Sequence, residues 1–275
     1  MILGIDAGNH STKVCGPHGV LKFLSDLGEY RDRRLMQVHG PDDMVYQHQG
    51  KRGFAGTLAR AESEFSGSMQ GITKAHGDML IRVLLAIHRY GGDDRYRIVV
   101  GQPIEAHTEP EKLKIISMLT GKHTIAINGL EKTFTIEQAK VAAEGGASFW
   151  ATPIDGLVHQ LDIGSGTVNW ATLEGRRYID KDSFTLLFGG SNNKTYDLEA
   201  MTRAVIARAA KWGKHDKVLI VGGKAEEIYP FVIEYFPEAE ILRPVIKVGN
   251  NTEVVHPVYA NAVGNYNIAR SIFGG

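Results

Sequence analysis

Short apolar runs alternate with segments of helical periodicity along the chain. The pattern predicts strands near residues 2–5, 12–15, 20–24, 97–100, 124–127, 133–141, 158–163, 168–173 and 218–221. It predicts helices from Ser68 to Tyr90, from Thr108 to Gly121, after a capping Thr195, and after Pro257. The spacing of Thr108 and Glu111 is that of a capping box. Strands that alternate with helices in this way indicate an α/β fold.

One hairpin arrangement occurs in each half of the sequence. Residues 3–9 (LGIDAGN) and 160–165 (QLDIGS) each contain an apolar strand that ends in Asp, one further residue, Gly and a polar residue. A Ser or Thr and a second strand follow in both cases. An arrangement that is used twice predicts two similar halves that face one another.

The loops of these hairpins carry groups that bind phosphates and metal ions. Gly8 and Gly164 would let backbone N–H groups approach an anion closely, and Asp6 and Asp162 would hold a hydrated Mg²⁺ between the loops. Hydroxyl donors are supplied by Ser11, Thr12, Ser165 and Thr167. The alternative for each loop alone is an ordinary β-turn, because its residues are common turn residues. Their matching strand contexts favour two loops that clamp a polyphosphate.

Two further features fit a nucleotide. Gly222 and Gly223 follow a buried strand and precede a predicted helix, where a ligand can lie flat against the turn; a plain strand-to-helix turn is the alternative. Lys13 could reach a phosphate from its strand or be an ordinary exposed lysine. A P-loop is excluded, since no glycine lies five positions before Gly223, and no Gly-x-Gly-x-x-Gly occurs.

Charge and composition indicate which partners and which cellular compartment fit this protein. The 31 basic and 31 acidic side chains balance, which does not favour direct binding of nucleic acid. The single cysteine, Cys15, fits a reducing cytoplasm. The sequence starts without the basic residues of a signal peptide, and no apolar run reaches the ~18 residues of a membrane span. We therefore expect a cytoplasmic protein without membrane contact.

The densest candidate metal cluster is His39, Asp42, Asp43 and His48, for which a solvated loop is the favoured alternative.

The order of these motifs resembles the superfamily of actin, the sugar kinases and the chaperone ATPases. Residues 6–13 (DAGNHSTK) resemble its first phosphate motif, residues 162–167 (DIGSGT) its second, and residues 219–223 (LIVGG) its adenosine motif. Residues 140–147 and 261–264 resemble its two connecting segments. The resemblance spans the whole chain and implies a two-half, actin-like (ribonuclease H-like) α/β fold.

Within this superfamily, the chain is most similar to the bacterial plasmid-segregation actins of the ParM and AlfA type. The Asp-x-Gly-Asn loop with its following Thr-Lys is typical of them, as is FAGTLA at residues 54–59. Asp6 and Asp162 are 156 positions apart, but Asp162 and Gly222 are only 60 apart. The second interval has room for strands, a loop and one helix. We therefore expect that the upper lobe of the second half, subdomain IIB, is missing.

The resemblance also implies a division of the chain into parts. Residues 1–150 would form the first half, made of subdomain IA with a small IB insert at about 25–67. Residues 151–255 would form the second half, subdomain IIA. Residues 256–275 would form a C-terminal helix that returns to the first half.

By the same resemblance, Glu144 would position or activate the attacking water. Ala143 stands where relatives often have proline, and the alternative for Glu144 is a carboxylate that stabilises the first turn of a helix. The implied cofactors are ATP, or GTP, and Mg²⁺, with Asp6 and Asp162 as metal ligands through water. The implied nucleotide-binding residues are Asp6, Gly8, Asn9, Ser11, Thr12, Lys13, Asp162, Gly164, Ser165, Gly166, Thr167, Gly222 and Gly223.

Such a protein would hydrolyse its nucleotide while it assembles with copies of itself into a helical filament, two-stranded and prone to bundle. A DNA-binding adaptor at a plasmid centromere would connect the filament to DNA. The alternative function is a small-molecule kinase of the same superfamily, similar to type III pantothenate kinase. A kinase needs a carboxylate base beside a pocket for the acceptor hydroxyl, and a missing upper lobe weakens this alternative.

Overall fold

The structure is a computed structural model that describes residues 1–35, 37, 39–67, 73–191 and 197–274. Its strands are β1 (Ile2–Ala7), β2 (Ser11–Gly16), β3 (Gly19–Leu24), β4 (Leu27–Glu29), β5 (Asp43–His48), β6 (Lys51–Gly56), β7 (Arg95–Gln102), β8 (Gly121–Ile127), β9 (Leu130–Ala143), β10 (Leu157–Ile163), β11 (Val168–Glu174), β12 (Arg177–Tyr178), β13 (Phe184–Leu186), β14 (Lys217–Gly222), β15 (Glu240–Ile241), β16 (Val245–Val248) and β17 (Asn251–Val254). Its α-helices are α1 (Thr57–Glu62), α2 (Gly77–Tyr90), α3 (Glu109–Leu119), α4 (Gly146–Phe149), α5 (Leu198–Ala209), α6 (Ala225–Val232) and α7 (Ala260–Phe273).

The first sheet has nine strands in the order β3-β2-β1-β7-β9-β8-β5-β6-β4. Strand β1 is antiparallel to β2 and parallel to β7. On one face of β1, Leu3 and Ile5 share a buried core with Val83 of α2. On the other face, Gly4 lies so close to α7 that an added Cβ would be 2.1 Å from the backbone nitrogen of Tyr266. Because β1 is covered on both faces, its sequence has no polar residue before Asp6 near its end.

The second sheet repeats this arrangement. Its main strand order is β12-β11-β10-β14-β15, and β13 pairs with β11. Strand β10 is antiparallel to β11 and parallel to β14, as β1 is to β2 and β7. The hairpin with a parallel neighbour therefore occurs twice, which confirms the predicted α/β fold of two similar halves.

Helix α2 begins later than the apolar spacing predicted. Of the predicted first turns from Ser68, residues 68–72 lie outside the described residues, and the helix starts at Gly77. The backbone N–H of Lys74 donates to Oε1 of Gln102 over 2.9 Å, so this segment is held by β7 rather than by helical bonds. The predicted end at Tyr90 is confirmed. Gly91 follows with φ 68°, and its N–H bonds the carbonyl of Ile87.

The capping box predicted for α3 is wrong. Thr108 is the N-cap residue, but its side chain makes no capping hydrogen bond. The carboxylate of Glu111 instead accepts hydrogen bonds from the hydroxyl of Thr73 and the ammonium of Lys114. The helix also ends at Leu119 rather than at Gly121, because residue 121 already begins β8.

The region between β11 and β14 is short, as expected. In its described residues, 175–191 and 197–216, it contains β12, a 3-10 turn, β13 and α5, and no lobe with a sheet of its own. The predicted cap Thr195 lies outside the described residues. The N-cap of α5 is Asp197, whose side chain accepts a hydrogen bond from the backbone N–H of Ala200 over 2.8 Å.

Helix α7, at the C-terminal end of the sequence, packs against β1 from its beginning and α4 from its middle. A 3-10 turn at Pro257–Tyr259 precedes it. Nδ2 of Asn265 donates to the carbonyl of Ile5 over 3.0 Å, and Gly264 lies so close to α4 that an added Cβ would be 1.8 Å from the carbonyl oxygen of Ala147.

The division into parts at residues 150 and 255 stays a prediction. None of the described helices is long and apolar enough to cross a membrane.

Candidate functional site

A cleft of about 740 Å³ lies where the two hairpin loops meet. Its walls come from the β1–β2 loop, the β10–β11 loop, the turn after β14, the segment before α2 and the start of α7. The predicted site residues that line it are Asp6, Gly8, Asn9, Ser11, Lys13, Glu144, Asp162, Gly164, Ser165, Gly166, Thr167, Gly222 and Gly223. Residues that are far apart in the sequence are thus brought to one place.

Thr12 does not line the cleft. Side chains of successive strand residues point to opposite faces, so Thr12 is turned away from the side on which Ser11 and Lys13 reach the cleft. Its hydroxyl is buried and hydrogen-bonded to Oγ of Ser25 over 2.8 Å. Arg82 of α2 donates to the carbonyl of Ser25 and, from Nη1, to Oδ1 of Asn9 over 3.3 Å. Thr12 therefore connects β2 to Ser25 on the side that faces away from the cleft.

The glycines of the two loops have matching geometry. A Cβ at Gly8 would be 2.9 Å from the carbonyl oxygen of Ser11, and a Cβ at Gly164 would be 2.9 Å from that of Thr167. At Gly222, φ is 99° and a Cβ would be 2.3 Å from the carbonyl oxygen of Ile163. All three positions exclude a side chain, so the backbone itself forms the surface that a ligand meets.

A chain of alternating charges crosses the floor of the cleft. Nζ of Lys13 lies 3.0 Å from Oδ2 of Asp6, and Nζ of Lys74 lies 3.5 Å from Oδ1 of the same carboxylate. The ammonium of Lys74 also makes a direct ion pair with Oε1 of Glu144. Asp6, Lys74 and Glu144 are each at most 7% exposed. Each carboxylate oxygen of Asp6 therefore faces a different lysine.

Burial and these ion pairs act in opposite directions on the pKa values. Burial alone would raise the pKa of Asp6, but the ammonium groups of Lys13 and Lys74 outweigh it and hold this pKa below its ordinary value. Burial alone would lower the pKa of Lys74, but Glu144 and Asp6 outweigh it and raise that pKa. Both groups are therefore charged at neutral pH.

Asp162 has a different environment. The pKa of Asp162 is raised to about 6, chiefly by burial and also by the nearby charges of Glu144 and Asp6, while a hydrogen bond from Asn261 acts in the opposite direction. Nδ2 of Asn261 donates to Oδ2 of Asp162 over 2.8 Å, and Oδ1 of Asn261 accepts from the backbone N–H of Gly145 over 3.2 Å. Asn261 thus connects the end of β10 to the residue that follows Glu144.

Two important residues escaped the sequence analysis. Lys74 was assigned to a helix, and Asn261 was noted only as part of a connecting segment. Their partners, Glu144 and Asp162, are 70 and 99 positions away in the sequence. The one available signal for Lys74 was a lysine just before an amphipathic helix, which is too common to indicate a site.

The candidate metal cluster at residues 39–48 spans a short loop and the whole of β5. Among the described residues, no group of three or more His, Cys, Asp or Glu side chains is arranged to hold a metal ion. Asp42 pairs with Arg89, and Asp43 accepts hydrogen bonds from Thr57 and the backbone of His39. The favoured alternative, a solvated loop, is wrong for Asp43 and His48, which are buried in β5.

Comparison with known proteins identifies the family. The sequence profile described as "Actin like proteins N terminal domain" matches residues 4–146, which is just over half of the chain. This range includes the β1–β2 loop and Glu144. The chain belongs to the actin-like protein family. A search of curated proteins gave no match.

Solved structures of other actin-like proteins share the fold over almost the whole chain. An AlfA filament bound to AMPPNP has a TM-score of 0.74 at 20% identity, with 96% of this chain and 94% of that chain covered. The apo form of the psk41 ParM protein has a TM-score of 0.73 at 14% identity, with 99% and 97% covered. The archaeal actin homologue Ta0583 in complex with ADP has a TM-score of 0.74 at 17% identity, with 99% of both chains covered. At these identities the likeness concerns the fold alone.

The actin-like fold implies a magnesium ion, and the residues of the cleft fit one that is held partly through water. Asp6 and Asp162 are buried carboxylates at the ends of β1 and β10, close enough that the charge of Asp6 raises the pKa of Asp162. Mg²⁺ keeps several of its waters and takes one or two carboxylates together with phosphate oxygens. Two carboxylates at a phosphate site meet that requirement.

Proposed function

We propose that this actin-like protein is a nucleoside triphosphatase that assembles into filaments and segregates plasmid DNA through an adaptor protein in the cytoplasm. The observation that carries the proposal is the cleft between the two hairpin loops, which combines two glycine-based anion sites with three buried carboxylates. The relatives that share the fold include an AlfA filament bound to AMPPNP and a complex with ADP.

In this proposal, the two loops hold the phosphates from both sides. Gly8 and Gly164 let the loop backbones approach the phosphates closely, although the N–H of Gly164 itself donates to the carbonyl of Thr167 over 2.9 Å. The hydroxyls of Ser11, Ser165 and Thr167 donate to phosphate oxygens, and Lys13 adds a positive charge. The turn at Gly222 and Gly223 supports the nucleoside, either adenosine or guanosine. A bound Mg²⁺, held by Asp6 and Asp162 through water, would neutralise charge that develops on the phosphates.

Glu144 is proposed to orient the attacking water. Its carboxylate lies in the wall of the cleft between the end of β9 and the start of α4, and Lys74 fixes its position. A carboxylate in that place can accept a hydrogen bond from a water molecule beside the terminal phosphate. A helix-stabilising role is less well supported, because α4 has four residues and no acidic residue in its first turn.

Filament assembly follows from the way in which the nucleotide would join the two halves. A triphosphate and its metal ion contact loops from both sheets, so hydrolysis changes what holds the halves together. Contacts between copies of the chain that repeat head to tail without closing give an open helical filament. The balanced charge supports an adaptor as the connection to DNA, since no basic excess favours direct binding.

The test is light scattering and electron microscopy of the pure protein with Mg-ATP, Mg-GTP or Mg-ADP. We expect scattering that rises with the triphosphate and decays as phosphate is released. Stoichiometric transfer of phosphate to a metabolite without scattering would favour the kinase instead. Binding of no nucleotide at all would refute the proposal.

A further inference from the structure

Lys74 is a buried cation that the proposed mechanism uses only to fix the position of Glu144, without a contact to the nucleotide. It is 7% exposed and lines the cleft, although it comes from the irregular segment before α2 rather than from a phosphate loop. Removing an ammonium group from water costs free energy that an ion pair does not fully return. A structural core would be at least as stable with apolar side chains here, so a contact with a ligand explains the lysine better.

The position of Lys74 follows from its two partners. Its ammonium contacts Glu144, which is proposed to hold the attacking water, and lies 3.5 Å from Oδ1 of Asp6, a proposed ligand of the metal through water. Both the attacking water and the metal are next to the terminal phosphate in phosphoryl transfer. A cation that touches both carboxylates therefore lies beside that phosphate.

Hydrogen bonds to Gln102 fix the position of the backbone around Lys74. Its N–H donates to Oε1 of Gln102 over 2.9 Å, and Nε2 of Gln102 donates to the hydroxyl of Thr73 over 3.2 Å and to the carbonyl of Ala106 over 3.3 Å. Gln102 is fully buried at the end of β7. The backbone of Lys74 is thus attached to the end of β7, so its ammonium can exchange one oxygen partner for another while the backbone stays in place.

We propose that Lys74 binds the terminal phosphate of the nucleotide, so that its ammonium distinguishes a nucleoside triphosphate from a diphosphate. This inference rests on the proposed function. In the triphosphate complex, Asp6 would hold the metal ion through water, and the ammonium of Lys74 would turn from Asp6 to a terminal phosphate oxygen while it keeps Glu144. When the terminal phosphate leaves, the ammonium returns to Asp6. Residues 73–75, directly before α2, thereby respond to hydrolysis.

The test compares equilibrium binding of Mg-AMPPNP and Mg-ADP by calorimetry, which needs no turnover. For Lys74→Met we expect the affinity for AMPPNP to fall about 10- to 100-fold, the usual effect of losing one charge-assisted hydrogen bond, and the affinity for ADP to change less than about threefold. Lys112→Met is the control, because Lys112 lies on α3 in an ion pair with Glu109. It should change neither affinity.

A second pair of variants keeps the test sound if Lys74→Met is unstable because Glu144 is left unpaired. Glu144→Gln retains the ammonium and should retain the preference for AMPPNP over ADP. The double variant Lys74→Met, Glu144→Gln has no unpaired charge at this position and should lose that preference. If Lys74→Met lost equal affinity for both nucleotides, or if the double variant kept the preference for AMPPNP, the proposed role of Lys74 would be wrong while the proposed function would still stand. If the wild-type protein bound neither nucleotide, the proposed function would fail as well.

Discussion

Nδ2 of Asn261 donates a hydrogen bond of 2.8 Å to Oδ2 of Asp162, between side chains that are 99 positions apart in the sequence. The other side of the same amide accepts from the N–H of Gly145. Asn261 therefore fixes the orientation of the Asp162 carboxylate relative to the segment that carries Glu144. It also stabilises the ionised form of Asp162, whose pKa burial raises to about 6.

The first prediction concerns Asn261. Asn261→Ala should weaken the binding of Mg-nucleotide about 10-fold, because a hydrogen bond to a charged group contributes about 1.5–3 kcal/mol and Asp162 becomes harder to ionise. Asn267→Ala is the control, since Asn267 lies on the same helix and donates to the carbonyl of Trp150 over 2.8 Å. Calorimetry with Mg-ADP measures both. Equal effects of the two substitutions would show that only the helix was disturbed.

The second prediction concerns the metal. Asp162→Ala should weaken Mg-nucleotide binding strongly, and the difference between variant and wild type should shrink when EDTA removes the metal, since the lost interaction is with Mg²⁺. Asp155→Ala, at an exposed carboxylate paired with Arg176, should behave as the wild type. A defect of the same size with and without EDTA would remove Asp162 from metal binding.

The third prediction concerns Glu144. Glu144→Ala should keep nucleotide binding and slow hydrolysis about 10²- to 10⁴-fold, the usual range for the loss of a group that handles the attacking water. Filaments should then persist longer after ATP is added. Phosphate release and light scattering in the same sample measure both effects. Hydrolysis at the wild-type rate would exclude Glu144 from the mechanism.

The two hairpin loops of the cleft could be predicted from the sequence because each is local. Asp, Gly and a hydroxyl within six residues of one strand end determine the shape of the loop, and Gly8 and Gly164 have no substitute where a Cβ would meet a carbonyl at 2.9 Å. The repeat predicted two similar halves, and the structure places the two hairpins in separate sheets. Local chemistry was therefore sufficient for most of the cleft.

What escaped prediction depends on contacts between distant segments. Lys74 was assigned to a helix because apolar spacing continues before Gly77, but a bond to Gln102, 28 positions away, holds its backbone instead. Thr12 looked equivalent to Ser11 in the sequence, while the alternation of side chains along β2 turns its hydroxyl toward Ser25. Neither outcome can be inferred from residue types near the position itself.

The fourth prediction concerns pH and a histidine outside the cleft. His159 is fully buried, its Nδ1 lies 3.0 Å from Oγ1 of Thr172, and its ring lies 4.4 Å from that of Trp212. Burial lowers the pKa of His159 below 6.5, against the opposing effect of Asp216. The unfolded chain therefore binds more protons below pH 6.5. This histidine contributes stability that is complete above pH 6.5 and is lost as the pH falls toward its folded pKa.

We therefore expect His159→Gln to reduce the slope of unfolding free energy against pH below pH 6.5, by at most about 1.4 kcal/mol per pH unit. Urea unfolding at a series of pH values measures this slope. Comparison with the wild type at each pH cancels the contribution of Asp162, whose raised pKa acts in the opposite direction. His215→Gln, at an exposed ring, should keep the wild-type slope. A parallel shift of the whole curve in His159→Gln would show a packing effect only.

The last prediction concerns the filament and begins from the short region between β11 and β14. Its described residues form β12, a 3-10 turn, β13 and α5, so they supply no upper lobe for contacts along a strand. By the resemblance to plasmid-segregation actins, that lobe contributes to longitudinal contacts in full-length relatives. A single strand of subunits without it would have a smaller longitudinal interface and would be weak.

Lateral contacts between strands should compensate, so we expect filaments with at least two strands that tend to bundle in Mg-ATP. With 31 basic and 31 acidic side chains, no net charge opposes bundling, but local charge pairs between strands should still respond to salt because salt screens exposed charges. Electron microscopy in Mg-ATP from low to high salt tests this, with Mg-ADP as the control state. Bundles should separate into paired strands before the strands themselves dissolve. Stable, isolated single strands at any salt concentration would contradict the compensation, because the longitudinal interface would then be sufficient alone.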